Sequence, residues 1–215
     1  PLGEYMLGVL MVMQRSGGGN TGYFLGEVSA TGWWYYFPVV FILKEPLPSL
    51  ILIFLASTLG LWNIIKNFKI RLVLRNIENY IGTHLSEFSM LSFVIFYWLY
   101  SVKSPLNIGV RHIMPTMPFI YILTASTIKK WFNLNSTNNG QIIIKIIAIA
   151  SNLTKIIIKG SLIFVLIAWY FIEIIFATPY YLSYFNELGG GVSNGYEYVT
   201  DSNYDWGQDM KRLKN

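Results

Sequence analysis

Three basic side chains in an apolar neighbourhood carry the first hint of chemistry: Lys103, Arg111 and His112. The run from Asn107 to Ile128 is apolar apart from Arg111 and His112, and Lys103 precedes it. Ionisable groups inside a membrane-length segment are costly, and they tend to be paired or functional. A guanidinium forks onto two phosphate oxygens, while a lysine adds a point charge. This trio therefore reads as a phosphate grip. The plainer alternative is that Arg111 snorkels to lipid headgroups or pairs with a carboxylate of a neighbouring helix. Glu173, in a later apolar run, reads as a partner inside a bundle.

A second concentration lies in the tail, Tyr196-Glu-Tyr-Val-Thr-Asp201-Ser-Asn203-Tyr-Asp205-Trp206-Gly-Gln208-Asp209. Asp201, Asn203 and Asp205 alternate as at the start of a calcium loop. That loop needs Gly where Trp206 stands and a bidentate Glu where Arg212 stands, so calcium is set aside and no metal is expected. A helix N-terminus capped by Asp201, Ser202 or Asn203, with Asp205 and Asp209 in its first turns, accounts for the acids. It leaves Trp206 and Gln208 unexplained. Asn203, Asp205, Trp206 and Gln208 together suit stacking on a sugar and bonding its hydroxyls. The aromatic run Trp33-Trp34-Tyr35-Tyr36-Phe37 has two readings, an interfacial belt or a sugar-stacking surface built on Trp34 and Tyr35.

Composition limits what can hold these groups. Of 215 residues, 53% are apolar and 13% charged, against ~25% charged in an ordinary soluble domain. This excludes a disordered solvating chain. The net charge of +5 is distributed by loop and forms no single basic stripe, so nucleic acid is not an expected partner. With no cysteine, disulfide scaffolds and Cys-based metal or redox sites are excluded.

A bilayer core needs ~20 apolar helical residues. Four spans are expected, over 47–65, 88–102, 107–128 and 161–181. The Ile-rich stretch 141–160 carries Lys145, Lys155 and Lys159 and fits a helix lying in the interface. Residues 2–14 have helical periodicity and read as an amphipathic surface helix. Pro38, Pro46 and Pro48 break 33–65 into a short helix ending at Lys44-Glu45, a turn and a span. The loops 66–87 and 129–159 hold the Lys/Arg excess and are expected in the cytoplasm, with both chain ends outside. The chain thus divides into an extracytoplasmic segment 1–46, a transmembrane region 47–181 and an extracytoplasmic segment from 182 to 215. It reads as an all-α, multi-pass protein of the plasma membrane. Because it begins at Pro1 and stops in a charged run, it also reads as a piece of a longer chain.

Four blocks carry a resemblance. They are Gly26-Glu27-Val-Ser-Ala-Thr-Gly32-Trp-Trp-Tyr-Tyr-Phe-Pro38 with Leu43-Lys-Glu-Pro-Leu-Pro48, then Asn107-Ile-Gly-Val-Arg-His112-Ile-Met-Pro115-Thr-Met-Pro118. Next come Pro179-Tyr-Tyr-Leu-Ser-Tyr-Phe-Asn-Glu-Leu-Gly189 and Asp201-Ser-Asn-Tyr-Asp-Trp-Gly-Gln-Asp-Met-Lys-Arg-Leu213. In this order they resemble bacterial family 39-type glycosyltransferases, relatives of the dolichyl-phosphate-mannose protein mannosyltransferases and the lipid A aminoarabinose transferases. The resemblance implies a GT-C helical bundle and transfer of a sugar, with inversion, from a polyprenyl-phosphate donor to an extracytoplasmic acceptor. It implies no cofactor. It places the catalytic carboxylate in a first outer loop N-terminal to these blocks, so no catalytic residue is assigned here. Glu27 is then an outer-face carboxylate that supports the site, and Arg111 with Lys103 matches the donor-phosphate position. Relatives with a Lys-rich entry followed by Tyr differ from this chain there. Two readings of other classes remain: a transporter or flippase, with Arg111 and Glu173 as pathway charges, and a non-catalytic accessory membrane protein. A transporter predicts Gly- or Pro-broken helices at the midplane, whereas Pro46, Pro48, Pro115 and Pro118 fall near the expected outer face.

Overall fold

The computed structural model describes residues 2–19, 21–67, 81–132, 142–204 and 206. Helix α1 (Leu2–Gly18) precedes a small hairpin of β1 (Gly22–Phe24) and β2 (Glu27–Ser29), paired with Gly22 opposite Ser29. Then follow α2 (Tyr36–Lys44), α3 (Leu47–Asn67), α4 (Leu85–Lys103), α5 (Met117–Phe132) and α6 (Ile142–Ala177). The described residues are mostly helical.

The long helices form one layer of the molecule. Helix α5 packs on α3 and α4, and α6 packs on α3. Leu47–Lys66, Leu85–Lys103 and Ala150–Ala177 are each long and apolar enough to cross a membrane. Their outward faces carry Phe54, Phe96, Phe164 and Phe176, all exposed. Water-soluble monomers rarely show apolar surface on this scale. Glu87 near the start of α4 bonds Lys130 near the end of α5 at 2.7 Å, so those two helix ends lie together.

The core sits elsewhere, in a cap at the opposite end of α4 and α5. Phe24 of the hairpin, Tyr36, Phe37, Val40 and Leu43 of α2, Ile113, Phe185 and Val199 form one buried cluster. Residue 199 also bridges to Phe24, and Leu25 N–H donates to the Tyr198 carbonyl at 2.9 Å. The segment after α6 therefore closes back over the hairpin and α2.

Two expectations are corrected. The span expected over 107–128 is a helix only from Met117. Residues 110–112 and 114–116 form 3-10 turns, because Pro115 and Pro118 each remove a backbone donor and are tolerated only before or within a first helical turn. The separate interfacial helix expected over 141–160 is instead continuous with the last span, as the 36-residue α6. Nothing there forces a stop: the stretch has no proline, and a lone Gly160 costs only about 1 kcal/mol relative to Ala. Lys159 does not need to lie in an interface. Its Nζ donates to the Trp131 carbonyl at 2.6 Å and sits 4.6 Å from that ring's centroid, a favourable place for a cation at the end of α5.

Candidate functional site

The loop between α4 and α5 is fixed by the cap on both sides. Trp33 N–H donates to Asn107 Oδ1 at 2.5 Å. Ser202 Oγ donates to the Ile108 carbonyl, and Val110 N–H donates to Asn203 Oδ1 at 3.1 Å. Gly109 lies between these contacts with φ +148°, and a Cβ there would fall 2.3 Å from Ser202 Oγ. Only glycine admits both the backbone angle and the approach. Ile113 is fully buried in the core, and Thr116 accepts a hydrogen bond from Trp98 Nε1 at 3.1 Å.

On this anchored turn Arg111 projects outward. Its Cζ lies 5.8 Å from the Trp206 ring centroid, and Trp206 Nε1 donates to the Ser202 carbonyl at 2.7 Å. Two residues nominated by the sequence for separate reasons thus meet. A guanidinium over an indole at an exposed site is worth about 0.5–1 kcal/mol, too little to define the fold. Both groups keep open surface, so the pair presents a planar cation beside an aromatic face.

The other nominated residues divide. His112 does not add charge beside Arg111. Its ring stacks edge-on to Phe37, its Nε2 is buried with no hydrogen-bond partner among the described residues, and burial together with the Arg111 charge holds it below the ordinary imidazole value. Lys103 ends α4 exposed. Glu27 is exposed and accepts from Trp33 Nε1 at 3.4 Å. Trp34 is 70% exposed, whereas Tyr35 turns inward against Phe24. Asn203 is wholly buried: its Nδ2 donates to Tyr36 Oη at 2.9 Å and to the Thr200 carbonyl at 3.1 Å, while Oδ1 holds Val110. It braces the Arg111 turn and has no surface for a ligand. Asp205 and Gln208 lie outside the described residues.

Beside Asn203 opens a cleft of about 420 Å³ lined by Thr21, Tyr23, Val28, Tyr36, Asn107 and Thr200. An apolar groove of about 390 Å³ runs between α3, α5 and α6, lined by Leu52, Ile53, Ala125, Ile128, Ile163 and Ile167 among others.

Sequence reasoning missed the groups that seat the cap. Lys44 Nζ donates to the carbonyls of Leu182 and Asn203, at 2.7 and 2.5 Å, and lies 4.5 Å from the Phe185 centroid. Asn186 N–H donates to the Leu43 carbonyl at 2.9 Å, and its Nδ2 donates to the carbonyls of Ile42, at 2.6 Å, and of Glu45 just past α2, at 2.8 Å. Their one sequence signal is a polar residue at the edge of an apolar block, which reads equally well as a helix end.

Lys44 also makes stability depend on pH. It ends α2, outside the membrane-length helices, and burial pushes its ammonium from 10.5 down to about 7. Between those values the unfolded chain binds more protons than the folded one, so stability rises with pH. The folded state is penalised below about pH 7 and relieved as pH climbs towards 10. Unfolding in detergent should show a gain of up to about 5 kcal/mol across that window, and Lys44→Met should remove it. An unchanged slope in the variant would place the titration elsewhere.

Compared with protein-family models, with curated proteins and with solved structures, the chain matches none.

Proposed function

We propose that this chain is the C-terminal part of a membrane glycosyltransferase that takes a sugar from a polyprenyl-phosphate donor and passes it, with inversion, to an extracytoplasmic acceptor. The observation that carries the reading is the Arg111 guanidinium over the Trp206 ring. A planar cation suits the donor's phosphate, and an aromatic face beside it suits the sugar. In the reaction, an acceptor hydroxyl attacks the anomeric carbon and loses its proton. The bond from that carbon to the phosphate oxygen breaks, and the lipid phosphate leaves with the electron pair. Charge grows on the phosphate as it leaves, so a cation held in place stabilises the transition state. The apolar groove between α3, α5 and α6 suits the lipid chain. The general base belongs to the N-terminal outer loop that the family resemblance implies.

In this reading Trp206 lies on the acceptor side and Asn203 braces it from beneath. In the full-length enzyme, Trp206→Ala should lower turnover about tenfold, the loss of ~1.4 kcal/mol of stacking. Expression and melting temperature should stay as in the wild type. A loss that tracks melting temperature would make Trp206 structural and end its assignment to the site.

The same reading puts the cap outside the cell in the plasma membrane, with 66–87 and 129–159 in the cytoplasm. Single cysteines at Asn76, Asn135 and Ser193, treated with an impermeant reagent on intact cells, check this. Only Ser193→Cys should label; labelling at Asn135→Cys without Ser193→Cys would invert the topology and move the site to the wrong side.

A further inference from the structure

The cap holds a cleft that the donor phosphate and its lipid chain leave unused. Its volume of about 420 Å³ falls in the range of small-ligand pockets. Tyr36 and Asn107, 2% and 5% exposed, line its inside, while Thr21, Val28 and Thr200 are exposed at its mouth. Among the described residues no charged side chain lines it.

The inner polar groups are fixed before any ligand arrives. Asn107 Oδ1 accepts from Trp33 N–H at 2.5 Å, and Tyr36 Oη accepts from Asn203 Nδ2 at 2.9 Å. Tyr23 Oη donates to the Glu197 carbonyl at 2.9 Å, so towards the cleft it can only accept. Asn107 Nδ2 carries two hydrogens. Among the described residues it meets one acceptor, the Ser104 carbonyl, at a long 3.4 Å, which leaves the second hydrogen without one. The Thr21 and Thr200 hydroxyls have no partner among the described residues and act as donor or acceptor.

This set selects its ligand. A fixed donor, a fixed acceptor and two hydroxyls call for groups that both donate and accept, as hydroxyls do. A phosphate or carboxylate only accepts and finds no cation lining the cleft, and an ammonium only donates and finds no carboxylate. A peptide would add a strand to an open sheet edge, but β1 is paired with β2 on one side and bridged from Phe24 to Val199 on the other. Val28 and the Tyr23 ring supply apolar surface for the C–H face of a sugar. We propose that the cleft binds a neutral saccharide. Asn203 ties it to the Arg111 turn, since its Nδ2 holds Tyr36 and its Oδ1 holds Val110 N–H. In the proposed reaction the saccharide is the acceptor, a role that rests on that reading, whereas the binding does not.

Saturation-transfer NMR and calorimetric titration of the purified chain, in a detergent that carries no sugar, test this. The probes are neutral disaccharides of glucose, mannose, galactose and N-acetylglucosamine, with glucuronate, glucosamine and a short neutral peptide as comparisons. At least one disaccharide should bind, and more tightly than every comparison. The double variant Thr21→Val, Thr200→Val should bind it about tenfold more weakly, as expected for two lost hydrogen bonds, with an unchanged melting temperature. Val28→Trp, at a side chain 72% exposed, obstructs the mouth and should weaken binding likewise if the double variant loses stability. Arg111→Gln should bind as the wild type does, so the cleft can stand where the donor-phosphate reading fails. Binding of no neutral disaccharide, tighter binding of a charged sugar or the peptide, or unchanged affinity in the cleft variants would overturn the proposal. Weakened binding in Arg111→Gln would also overturn it, by moving the saccharide to the Arg111 face.

Discussion

Asn186→Ala is expected to cost about 3–5 kcal/mol of stability, among the largest losses a single substitution can cause. The side chain fills its hydrogen-bonding capacity inside the core. Nδ2 satisfies the carbonyls of Ile42 and Glu45 at the end of α2, and Oδ1 satisfies the N–H groups of Leu188 and Gly189. Alanine leaves three backbone groups to find other partners, the carbonyls of Ile42 and Glu45 and the N–H of Leu188, since the Gly189 N–H keeps its 3.0 Å bond to the main-chain carbonyl of residue 186, and each one stranded away from water costs about 1–3 kcal/mol. Some recover by local movement, which brings the sum down to the stated range. Asn186→Asp sharpens the test. It keeps the acceptor for Leu188 and Gly189 but turns a carboxylate oxygen towards two carbonyls, so it should be at least as damaging. Thermal unfolding of the purified variants in detergent measures both. A loss within about 0.5 kcal/mol for either, the range of an ordinary surface change, would show that Asn186 does not seat the cap.

How far the sequence anticipates this architecture depends on the range of the forces involved. Helices α3 and α4 are legible because their causes are local: uninterrupted apolar runs closing at Lys66 and Lys103. The end of α2 is legible from Pro46 and Pro48. The start of α5 is harder, since apolar character continues back to Asn107 and only Pro115 and Pro118 mark the change. The length of α6 is hidden by lysines that suggest an interface, when Lys159 is satisfied by a carbonyl of α5. That partner is set by tertiary packing and leaves no trace in spacing.

The candidate site shows the same division. Arg111 and Trp206 are each conspicuous, one for charge in an apolar run and the other for an aromatic among polar neighbours. Their meeting is not legible, because it depends on Ser202 and Asn203 bonding the backbone of Ile108 and Val110. Asn203 is a third conspicuous residue. Its amide reads as a sugar ligand in sequence and proves to be a buried strut. Lys44 and Asn186 act on backbone carbonyls far away in the chain, and such contacts carry no residue-type signature on the receiving side.

If the proposed function holds, Arg111 grips the phosphate of a lipid-linked sugar donor, and substitution at that position tests this most directly. Arg111→Lys keeps the charge but loses the planar fork, so part of the activity should survive. Arg111→Gln loses the charge as well, at a cost of about 2–3 kcal/mol if it matches the removal of one preorganised donor, or roughly 30- to 150-fold in rate. Neither change should disturb folding, because Arg111 is exposed and its contact with the Trp206 ring is weak. The measurement is turnover of a polyprenyl-phosphate sugar by the full-length enzyme in detergent, across donor concentrations, for the wild type and both variants. The expected order is wild type, Arg111→Lys, Arg111→Gln, with the last lower by one to two orders of magnitude at saturating donor. Turnover of Arg111→Gln near the wild-type value at every donor concentration would contradict it and leave Arg111 as a side chain that only reaches for lipid headgroups.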